Sequence, residues 1–246
     1  MGKIVNFIGQ LASRLPAARK QQLVDLAAGQ MAEVAYHRLS KLGFRPGGIV
    51  DIGAYHGDWT RLAAKVYPAT PILMVEAQAE KADHLETVAR DISQARYELC
   101  LLGSRAGAET PFNVMETGSS VYGERSNVPR VQRMMTTRTL DDVLADHPSL
   151  QAPLFIKLDV QGAELDVLRG GSRALSQAEI VQLEVALMQY NEGAPDALGV
   201  LRFMVDQGFV MYDICGFVRP NPKYLSQIDL LFARRSSSLR PDYFAF

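Results

Sequence analysis

The stretch IVDIGAYHGDWT, residues 49–60, decides the fold of this 246-residue chain. A short apolar run contains an aspartate, reaches a glycine and continues into a helix-like pattern, and IKLDVQGAE at residues 156–164 repeats this arrangement. Ligands of open α/β sheets bind beyond the carboxyl ends of the parallel strands. The glycines relieve steric limits on such a turn, and the carboxylates suit a cationic or hydroxyl-rich ligand. Together the two stretches indicate a protein that binds a small molecule and does chemistry on it.

Composition and charge narrow the class of protein. Hydrophobic residues make up 48% of the chain and charged residues 22%, which is ordinary globular composition. The formal net charge of -1 gives no overall attraction to nucleic acid or to anionic membranes, and no apolar run reaches the roughly 20 residues that span a bilayer. Cys100 and Cys215 lie far apart in apolar runs and are predicted to be packed free thiols. Because the amino terminus lacks a signal-peptide pattern, we expect a cytoplasmic protein.

Three regions are predicted along the chain. Residues 1–45 form an N-terminal helical extension, residues 46–235 form the main domain, and residues 236–246 form a mobile C-terminal tail whose aromatic residues could dock. In the extension, apolar residues recur at helical spacing on both sides of Pro16, which interrupts the helix. We expect these helices to cap the domain or its active site, and a membrane-surface or partner-binding arm is the alternative.

From Gly47 onward strands and helices alternate, which is typical of a parallel sheet covered on both faces. The strands are predicted near residues 48–52, 71–76, 97–102, 154–159, 179–185, 208–214 and 227–233. The helices are predicted near residues 57–66, 79–91, 138–146, 162–169 and 195–207. Residues 103–137 fit this alternation poorly, because they contain one further strand, Thr110 to Met115, and then a polar run. Loops of this length are often lids or substrate loops.

The first turn, Asp51-x-Gly53-x-x-x-Gly57, favours one kind of cofactor. A dinucleotide loop has the pattern Gly-x-Gly-x-x-Gly, whose middle glycine lets the backbone approach the pyrophosphate. Here Tyr55 stands at the middle position and would crowd a phosphate, and Asp51 would repel it. S-adenosylmethionine carries no phosphate, and its ammonium and sulfonium groups are attracted to an acidic strand end. The turn therefore predicts S-adenosylmethionine.

The next predicted strand supplies a second carboxylate. It ends at Glu76, 25 positions after Asp51. A carboxylate at this place can accept hydrogen bonds from both hydroxyls of a ribose. Glu76 is therefore predicted to hold the ribose of the cofactor.

Several motifs resemble, in the same order, those of the FkbM family of S-adenosylmethionine-dependent methyltransferases. They are Val50-Asp51-Ile52-Gly53-Ala54-x-x-Gly57, Val75-Glu76-Ala77, and the stretch Ile156 to Glu164 followed by Val167 to Gly171. The resemblance covers about residues 46–235. It implies an α/β fold of the class I methyltransferase type, with a Rossmann-like seven-stranded sheet, helices on both faces and an antiparallel last strand.

The resemblance also implies an activity, which is methyl transfer from S-adenosylmethionine to a hydroxyl of a sugar, glycolipid or glycosylated natural product. The residues predicted at the cofactor are Asp51, Gly53, Ala54, Tyr55, Gly57, Glu76, Ala77 and Asp159. The residues predicted at the acceptor are Ser119, Ser120, Gln161 and Glu164, the two serines lying in a segment that resembles the family's Gly/Ser-containing segment before the fourth strand. For Glu164, a purely electrostatic role at a helix amino terminus is the alternative.

Three residues are candidate catalytic groups, because an alcohol acceptor must lose its proton to a base within hydrogen-bond reach. Asp159 follows the fourth strand and is the best candidate for acceptor contact or base, with helix capping as the alternative. Glu184 is an acid in an apolar run and needs a partner, either substrate or an ion pair. His56 in the first turn could contact donor or acceptor. Lys157 either pairs with a neighbouring carboxylate or extends to solvent.

Other interpretations stay open. A bound divalent cation is not expected, although Asp159 and Glu184 could together hold one. The alternatives in function are a nicotinamide-dependent oxidoreductase and a non-catalytic protein that keeps the cofactor fold to bind a partner. The expected partner is a small-molecule hydroxyl acceptor, above all a carbohydrate, and a homo-oligomer is possible. We expect the acceptor to be selected by residues 103–137, 188–193 and 215–220.

Overall fold

The structure is a computed structural model, and it describes residues 15–124, 127–220 and 223–240. Its strands, in chain order, are β1 (Gly48–Ile52), β2 (Ile72–Glu76), β3 (Ala95–Leu99), β4 (Leu101–Leu102), β5 (Glu109–Val114), β6 (Gly123–Glu124), β7 (Val131–Arg138), β8 (Leu154–Leu158), β9 (Ala178–Ala186), β10 (Asn191–Glu192), β11 (Phe209–Val218) and β12 (Gln227–Arg234). Its helices are α1 (Ala17–Ala28), α2 (Met31–Lys41), α3 (Asp58–Val66), α4 (Ala82–Asp91), α5 (Leu140–Ala145), α6 (Glu164–Arg169), α7 (Ser172–Gln177) and α8 (Ala197–Asp206). Short 3-10 turns occupy Ala79–Lys81 and Glu116–Gly118.

In the described part of the chain, seven strands form the main sheet, in the order β3-β2-β1-β8-β9-β12-β11. The pairs β1–β2, β2–β3, β1–β8 and β8–β9 are parallel, whereas β12 is antiparallel to both β9 and β11. This confirms the predicted class I methyltransferase sheet, including the antiparallel last strand. The connections diverge on either side of β1 and β8, so a ligand cleft is expected at the carboxyl ends of these two strands.

Helices cover both faces of the sheet, as predicted. On one face, α5, α6, α7 and α8 contribute to a core with the inward side chains of the strands. On the other face, α2, α3 and α4 contribute to a separate core. Adjacent residues of one strand serve opposite faces: Ile49 belongs to the second core and Val50 to the first. Since both faces are covered, β1 is buried along its whole length.

Helix α2 is an integral part of the second core. Tyr36 is fully buried, and its ring makes edge-to-face contacts with Trp59 and Phe155 at centroid distances of 5.8 and 5.3 Å. Its hydroxyl accepts a hydrogen bond from Trp59 Nε1 at 2.7 Å and donates one to the side chain of Gln182. This packing favours the capping role for the extension over the free arm. The first predicted helical run, residues 1–14, lies outside the described residues.

The structure differs from the predicted elements between residues 95 and 138. The predicted strand 97–102 is two strands, because the chain leaves the main sheet after Leu99 and β4 pairs with β7. Strand β7 itself was not predicted, and it pairs with β5, which is close to the predicted strand Thr110 to Met115. Most side chains of β7 are exposed, including Val131 and Met134. An exposed strand lacks the alternation of apolar and polar residues that identifies a strand in a sequence.

Two further features concern the tail and the cysteines. Leu239 is buried in the second core, so the start of the predicted tail is packed against the domain, whereas its aromatic residues lie in 241–246, outside the described residues. Cys100 and Cys215 are free thiols, as predicted. In the described ranges, no helix is long and apolar enough to cross a bilayer.

Replacing Tyr36 tests whether α2 supports the fold. Tyr36→Ala removes a fully buried ring and should lower the free energy of unfolding by about 3–5 kcal/mol. The matched control is Val34→Ala on the same helix, which alters an exposed side chain and should cost less than about 0.5 kcal/mol. Urea denaturation of the three proteins provides the measurement. Equal stabilities for the two variants would show that α2 is not part of the core.

Candidate functional site

The turns that follow β1 and β8 lie directly against each other. Gly53 has a φ of +73°, and a Cβ built on it would lie 1.9 Å from the carbonyl oxygen of Asp159. That is far inside van der Waals contact, so a side chain at Gly53 would force the two backbones apart. The second turn has its own left-handed residues, Gln161 and Gly162. Glycine at position 53 is therefore required by the close approach as well as by its φ.

A buried ion pair joins the two strands that carry these turns. Asp51 and Lys157 are register neighbours on β1 and β8, and Lys157 Nζ lies 3.0 Å from Asp51 Oδ1. The ammonium also donates to the Gly53 carbonyl at 3.1 Å. Burial lowers the pKa of Lys157, but the carboxylates of Asp51 and Asp159 outweigh it and leave this pKa above its ordinary value. Of the two alternatives for Lys157, the structure has the ion pair.

Asp51 lies behind the first turn and faces the protein interior. It is completely buried, and its second carboxylate oxygen accepts a hydrogen bond from Thr60 Oγ1 at 2.8 Å. Both oxygens are therefore engaged within the protein. The sequence predicts a direct cofactor contact for Asp51, whereas the structure gives it a supporting position beneath Gly53.

The backbone N–H groups of the first turn are used within the protein. Gly53 and Ala54 donate to the carbonyl of Val75 at 2.9 and 3.2 Å, and Tyr55 donates to Glu76 Oε2 at 2.8 Å. Phosphate-binding loops, in contrast, present free N–H groups to their ligand. These three groups therefore do not form a phosphate cradle.

A cavity, called here the β2 cavity, opens at the carboxyl ends of β1, β2 and β8. Its apolar wall includes Val75, Leu101, Leu102, Phe112, Val160 and Val167. Its polar side chains include Glu76, Gln78, Glu116, Asp159 and Gln161. None of the described residues that line it is Lys, Arg or His. The β2 cavity thus combines an apolar wall with carboxylates.

The residues predicted at the cofactor fall into two groups. Those that line the β2 cavity are Gly53, Tyr55, Glu76, Ala77 and Asp159. Those that are not part of its lining are Asp51, Ala54 and Gly57. Gly57 is the left-handed residue from which α3 begins, and a Cβ on it would lie 2.7 Å from the Val88 side chain. The second group supports the turn instead of lining the cavity.

Glu116, which has no predicted role, anchors the segment that forms one side of the β2 cavity. Its carboxylate accepts hydrogen bonds from Tyr55 at 2.8 Å and from Lys81 Nζ at 2.6 Å. Gln78 Nε2 donates to its carbonyl at 3.1 Å. The hydrogen bond from Lys81 lowers the pKa of Glu116, as does the one from Tyr55. These contacts join residues far apart in sequence, and only the polar run after β5 hints at them.

Gln161 connects the two turns to the loops above them. Its carbonyl accepts hydrogen bonds from Ser120 Oγ at 2.8 Å and from Asn191 Nδ2 at 2.6 Å. Its side-chain Nε2 donates to Asp159 Oδ1 at 3.1 Å and to Glu184 Oε1 at 2.9 Å. The amide therefore bridges the two carboxylates that the sequence offered as a cation pair. Across the described residues, no group of three or more His, Cys, Asp or Glu side chains could hold a metal ion.

Backbone strain is concentrated at this site. In the described ranges, the non-glycine residues with positive φ are Tyr55, Glu116 and Gln161, at +50°, +45° and +53°. All three line the β2 cavity. Such conformations cost of order 1–3 kcal/mol each, persist only where surrounding contacts hold them and cluster at functional sites. The hydrogen bonds of Glu116 and Gln161 are contacts of this kind.

The carboxyl groups near Gln161 have raised pKa values. Burial, with repulsion from Asp159 and Glu164, raises the pKa of Glu184 well above its usual range. The side chains that donate hydrogen bonds to Glu184 are the neutral amides of Gln161 and Gln227, the latter at 2.7 Å. Burial raises the pKa of Glu164 to about 7. Its Oε1 accepts N–H bonds from Val160 and Gly162, which fixes the second turn.

Asp159 and His56, two of the predicted catalytic residues, have different surroundings. Asp159 does not cap the following helix, because α6 begins after Ala163 without a side-chain cap. The ring of His56 is stacked on Tyr55 at a centroid distance of 3.8 Å and lies 4.1 Å from that of His84. It lines neither of the two cavities described here. The structure therefore does not bring His56 to the predicted catalytic position.

A further cavity, called here the β9 cavity, lies on the other side of Gln161. It is lined by Gln161, Glu164, Glu184 and residues of the loops before α8. Pairing of β10 with β6 joins residues 188–193 to the 103–137 insertion. Two of the three segments expected to select the acceptor therefore meet. The third segment, residues 215–220, lines neither cavity.

Comparisons with known proteins identify a family and several similar solved structures. The profile of the family described as Methyltransferase FkbM domain matches residues 51–211. One similar solved structure is precorrin-6y C5,15-methyltransferase from Geobacter metallireducens, with 14% identity, a TM-score of 0.45, and 83% of this chain and 87% of that chain covered. Another is magnesium protoporphyrin IX methyltransferase from Synechocystis with bound SAM, with 14% identity, a TM-score of 0.46, and 87% and 79% covered. A comparison with curated protein sequences found no significant match.

The contact between the two turns can be tested with a pair of glycines. Gly53 and Gly107 have nearly the same φ, +73° and +74°, but a Cβ at Gly107 has nothing within 4 Å. Gly107→Ala should therefore cost only the left-handed conformation, about 1 kcal/mol. Gly53→Ala adds a steric overlap and should cost more than about 3 kcal/mol in urea denaturation. Equal costs would contradict the close approach of the two turns.

The raised pKa of Glu164 predicts a pH-dependent stability. A carboxyl whose pKa rises from 4.5 to about 7 on folding stabilises the fold at low pH and loses that contribution as the pH rises through 7. Glu164→Gln keeps the acceptor oxygen but cannot ionise. Relative to the variant, the wild type should lose about 3 kcal/mol of unfolding free energy between about pH 4 and about pH 8. The raised pKa of Asp229 does not depend on Glu164 and cancels between the two proteins. The variant also loses the repulsion that Glu164 exerts on Glu184, which changes the difference in the same direction. A difference that does not change with pH would contradict the burial of this carboxyl.

Proposed function

Since this chain belongs to the FkbM methyltransferase family, we propose that it transfers a methyl group from S-adenosylmethionine to a hydroxyl oxygen of a sugar, glycolipid or glycosylated natural product. One observation carries the choice of donor: the β2 cavity is lined by carboxylates, and none of its described lining residues is cationic. The resemblance to the FkbM family supports a hydroxyl as the methylated group and a carbohydrate as the class of acceptor. Separate experiments can test the identity of the methyl donor, the methylated atom and the class of acceptor.

The β2 cavity suits a nucleoside that carries positive charge and no phosphate. Glu76 keeps acceptor capacity for the ribose hydroxyls, because each of its oxygens accepts one backbone N–H bond and has a further lone pair. Leu101, Leu102 and Phe112 offer an apolar surface for an adenine ring. Asp159 lies across the cavity, where a carboxylate attracts an ammonium or sulfonium group. When bound, the cofactor supplies a methyl group activated by a cationic sulfur.

A nicotinamide-dependent oxidoreductase fits the same cavity less well. A pyrophosphate would meet the carboxylates of Glu76 and Asp159 with no cation among the described lining residues, and the nearby Lys81 is already paired with Glu116. The N–H groups that would receive it are already bonded to β2. Charge and hydrogen bonding therefore both favour the methyl donor over a dinucleotide.

Asp159 and Glu184 are the groups proposed to accept the proton of the acceptor hydroxyl. Both accept a hydrogen bond from Gln161 Nε2, and Asp159 lines the β2 cavity whereas Glu184 lines the β9 cavity. Burial and nearby acids raise the pKa of Glu184, so its carboxylate has a greater affinity for a proton than an ordinary carboxylate has. The two interact closely, so the proton is assigned to the pair and not to one member. The transfer assay described below distinguishes this proposal from a non-catalytic protein that only binds a partner.

Glu76 provides a direct test of the donor. Isothermal titration should give S-adenosylhomocysteine binding to the wild type, and Glu76→Gln should weaken it by about tenfold or more through loss of charge-assisted hydrogen bonds to the ribose. Glu86→Gln on α4 alters an exposed carboxylate and serves as control. Tight NADH binding without S-adenosylhomocysteine binding would contradict the proposal.

The acceptor atom needs a transfer assay. Labelled S-adenosylmethionine should transfer its methyl group to sugar hydroxyls, and Asp159→Asn should slow this turnover at saturating donor by about a hundredfold as well as weaken donor binding, because Asp159 also lines the donor cavity. Transfer to amines alone would overturn the assignment to oxygen.

A further inference from the structure

We propose that the β9 cavity binds the acceptor, and that it selects sugars that are neutral or cationic near the methylated hydroxyl over sugars that carry phosphate or carboxylate there. This inference rests on the proposed function, because an acceptor cavity has meaning only beside a donor cavity. It adds the place of the acceptor and its charge class.

The position of the β9 cavity beside the β2 cavity supports its assignment to the acceptor. Gln161 lines both the β2 cavity and the β9 cavity, so one residue separates them. Its side-chain Nε2 donates both to Asp159, which lines the β2 cavity, and to Glu184, which lines the β9 cavity, at 3.1 and 2.9 Å. Methyl transfer requires donor and acceptor atoms to be held in contact and in line. A cavity that meets the donor cavity at one side chain, next to the proposed base, satisfies this requirement.

The walls of the cavity have the polarity of a sugar site. Glu184, Glu164 and Asn191 offer polar side-chain atoms to hydroxyl groups, and Asn191 is held in place by its bond to the Gln161 carbonyl. Leu187 and Leu198 add an apolar surface that suits the C–H face of a sugar ring. Polar groups that fix orientation beside an apolar wall are typical of small-molecule sites.

The charge of the residues that line the β9 cavity determines which sugars it favours. The carboxylates that line the β9 cavity are Glu164, Glu184 and Asp196, and none of its described lining residues is Lys, Arg or His. Burial and repulsion from nearby acids already raise the pKa values of Glu164 and Glu184. These acids accept hydrogen bonds from hydroxyl and ammonium groups, whereas a phosphate or a uronic acid would bring further negative charge to a wall with no cation among its described residues to pair it. Asp159 adds a further carboxylate, which accepts from the same amide nitrogen as Glu184. The cavity should therefore favour a neutral or amino sugar.

The first experiment uses simple sugars on the full chain saturated with S-adenosylhomocysteine. Saturation-transfer NMR at neutral pH compares glucosamine and glucose with glucuronic acid and glucose 6-phosphate. We expect the first two to bind at least about tenfold more tightly than the two anions. Equal binding of the anionic sugars, or binding of none of the four, would overturn the inference.

A charge placed at the cavity wall gives the second test, and it avoids the buried acids. Leu198 lines the β9 cavity and is 64% exposed, so substitutions there are compatible with folding. Leu198→Arg should weaken glucosamine binding and strengthen glucose 6-phosphate binding by about fivefold each. Leu198→Gln, similar in length but neutral, should leave the ranking unchanged. If Leu198→Arg has no more effect than Leu198→Gln, the β9 cavity is not the acceptor site.

Affinity for S-adenosylhomocysteine separates this inference from the proposed function. It should be the same in the wild type and both Leu198 variants, which also reports that the variants are folded. Absence of donor binding in the wild type refutes the proposed function and this inference with it. Normal donor binding without the predicted sugar preference refutes this inference alone.

Discussion

The ammonium of Lys157 bonds Asp51 on the neighbouring strand and the carbonyl of Gly53 in the turn that follows. A buried charge of this kind is tolerated only when it is paired, and removal of one partner typically costs about 3–5 kcal/mol. Here the pairing also draws the first turn onto the second, until Gly53 meets the carbonyl of Asp159 with no room for a side chain. The shape of the cleft depends on this contact, because both cavities open beside it.

Gln161 links the second turn to Asp159 and Glu184, the residues of the proposed base. Its left-handed backbone is held by Ser120 and Asn191, which belong to two separate loops. Its amide in turn fixes Asp159 and Glu184. The loops over the cleft therefore hold the residue that joins the two carboxylates. Under the proposed function, we expect a change in either loop to alter the geometry of the proposed base as well as the shape of the β9 cavity.

Much of the fold could be predicted from the sequence, because buried parallel strands followed by glycine turns leave a strong local pattern, and the Asp51 and Glu76 motifs placed the cleft. The inward direction of Asp51 could not be predicted, since it depends on which residue of β8 lies opposite, and that is Lys157. The same holds for Glu116, whose partners are distant in sequence. Patterns within one segment report which face of it is buried, but they do not report which side chains meet across the fold.

The central claim is that the donor lies between Glu76 and Asp159, in the cavity formed where the two turns meet. A crystal structure of the chain with S-adenosylhomocysteine tests this claim most directly. The account predicts the ribose hydroxyls within hydrogen-bond distance of the Glu76 carboxylate and the homocysteine amino group on the side of Asp159. A ligand bound with its ribose away from Glu76, or bound outside the β2 cavity, would contradict it.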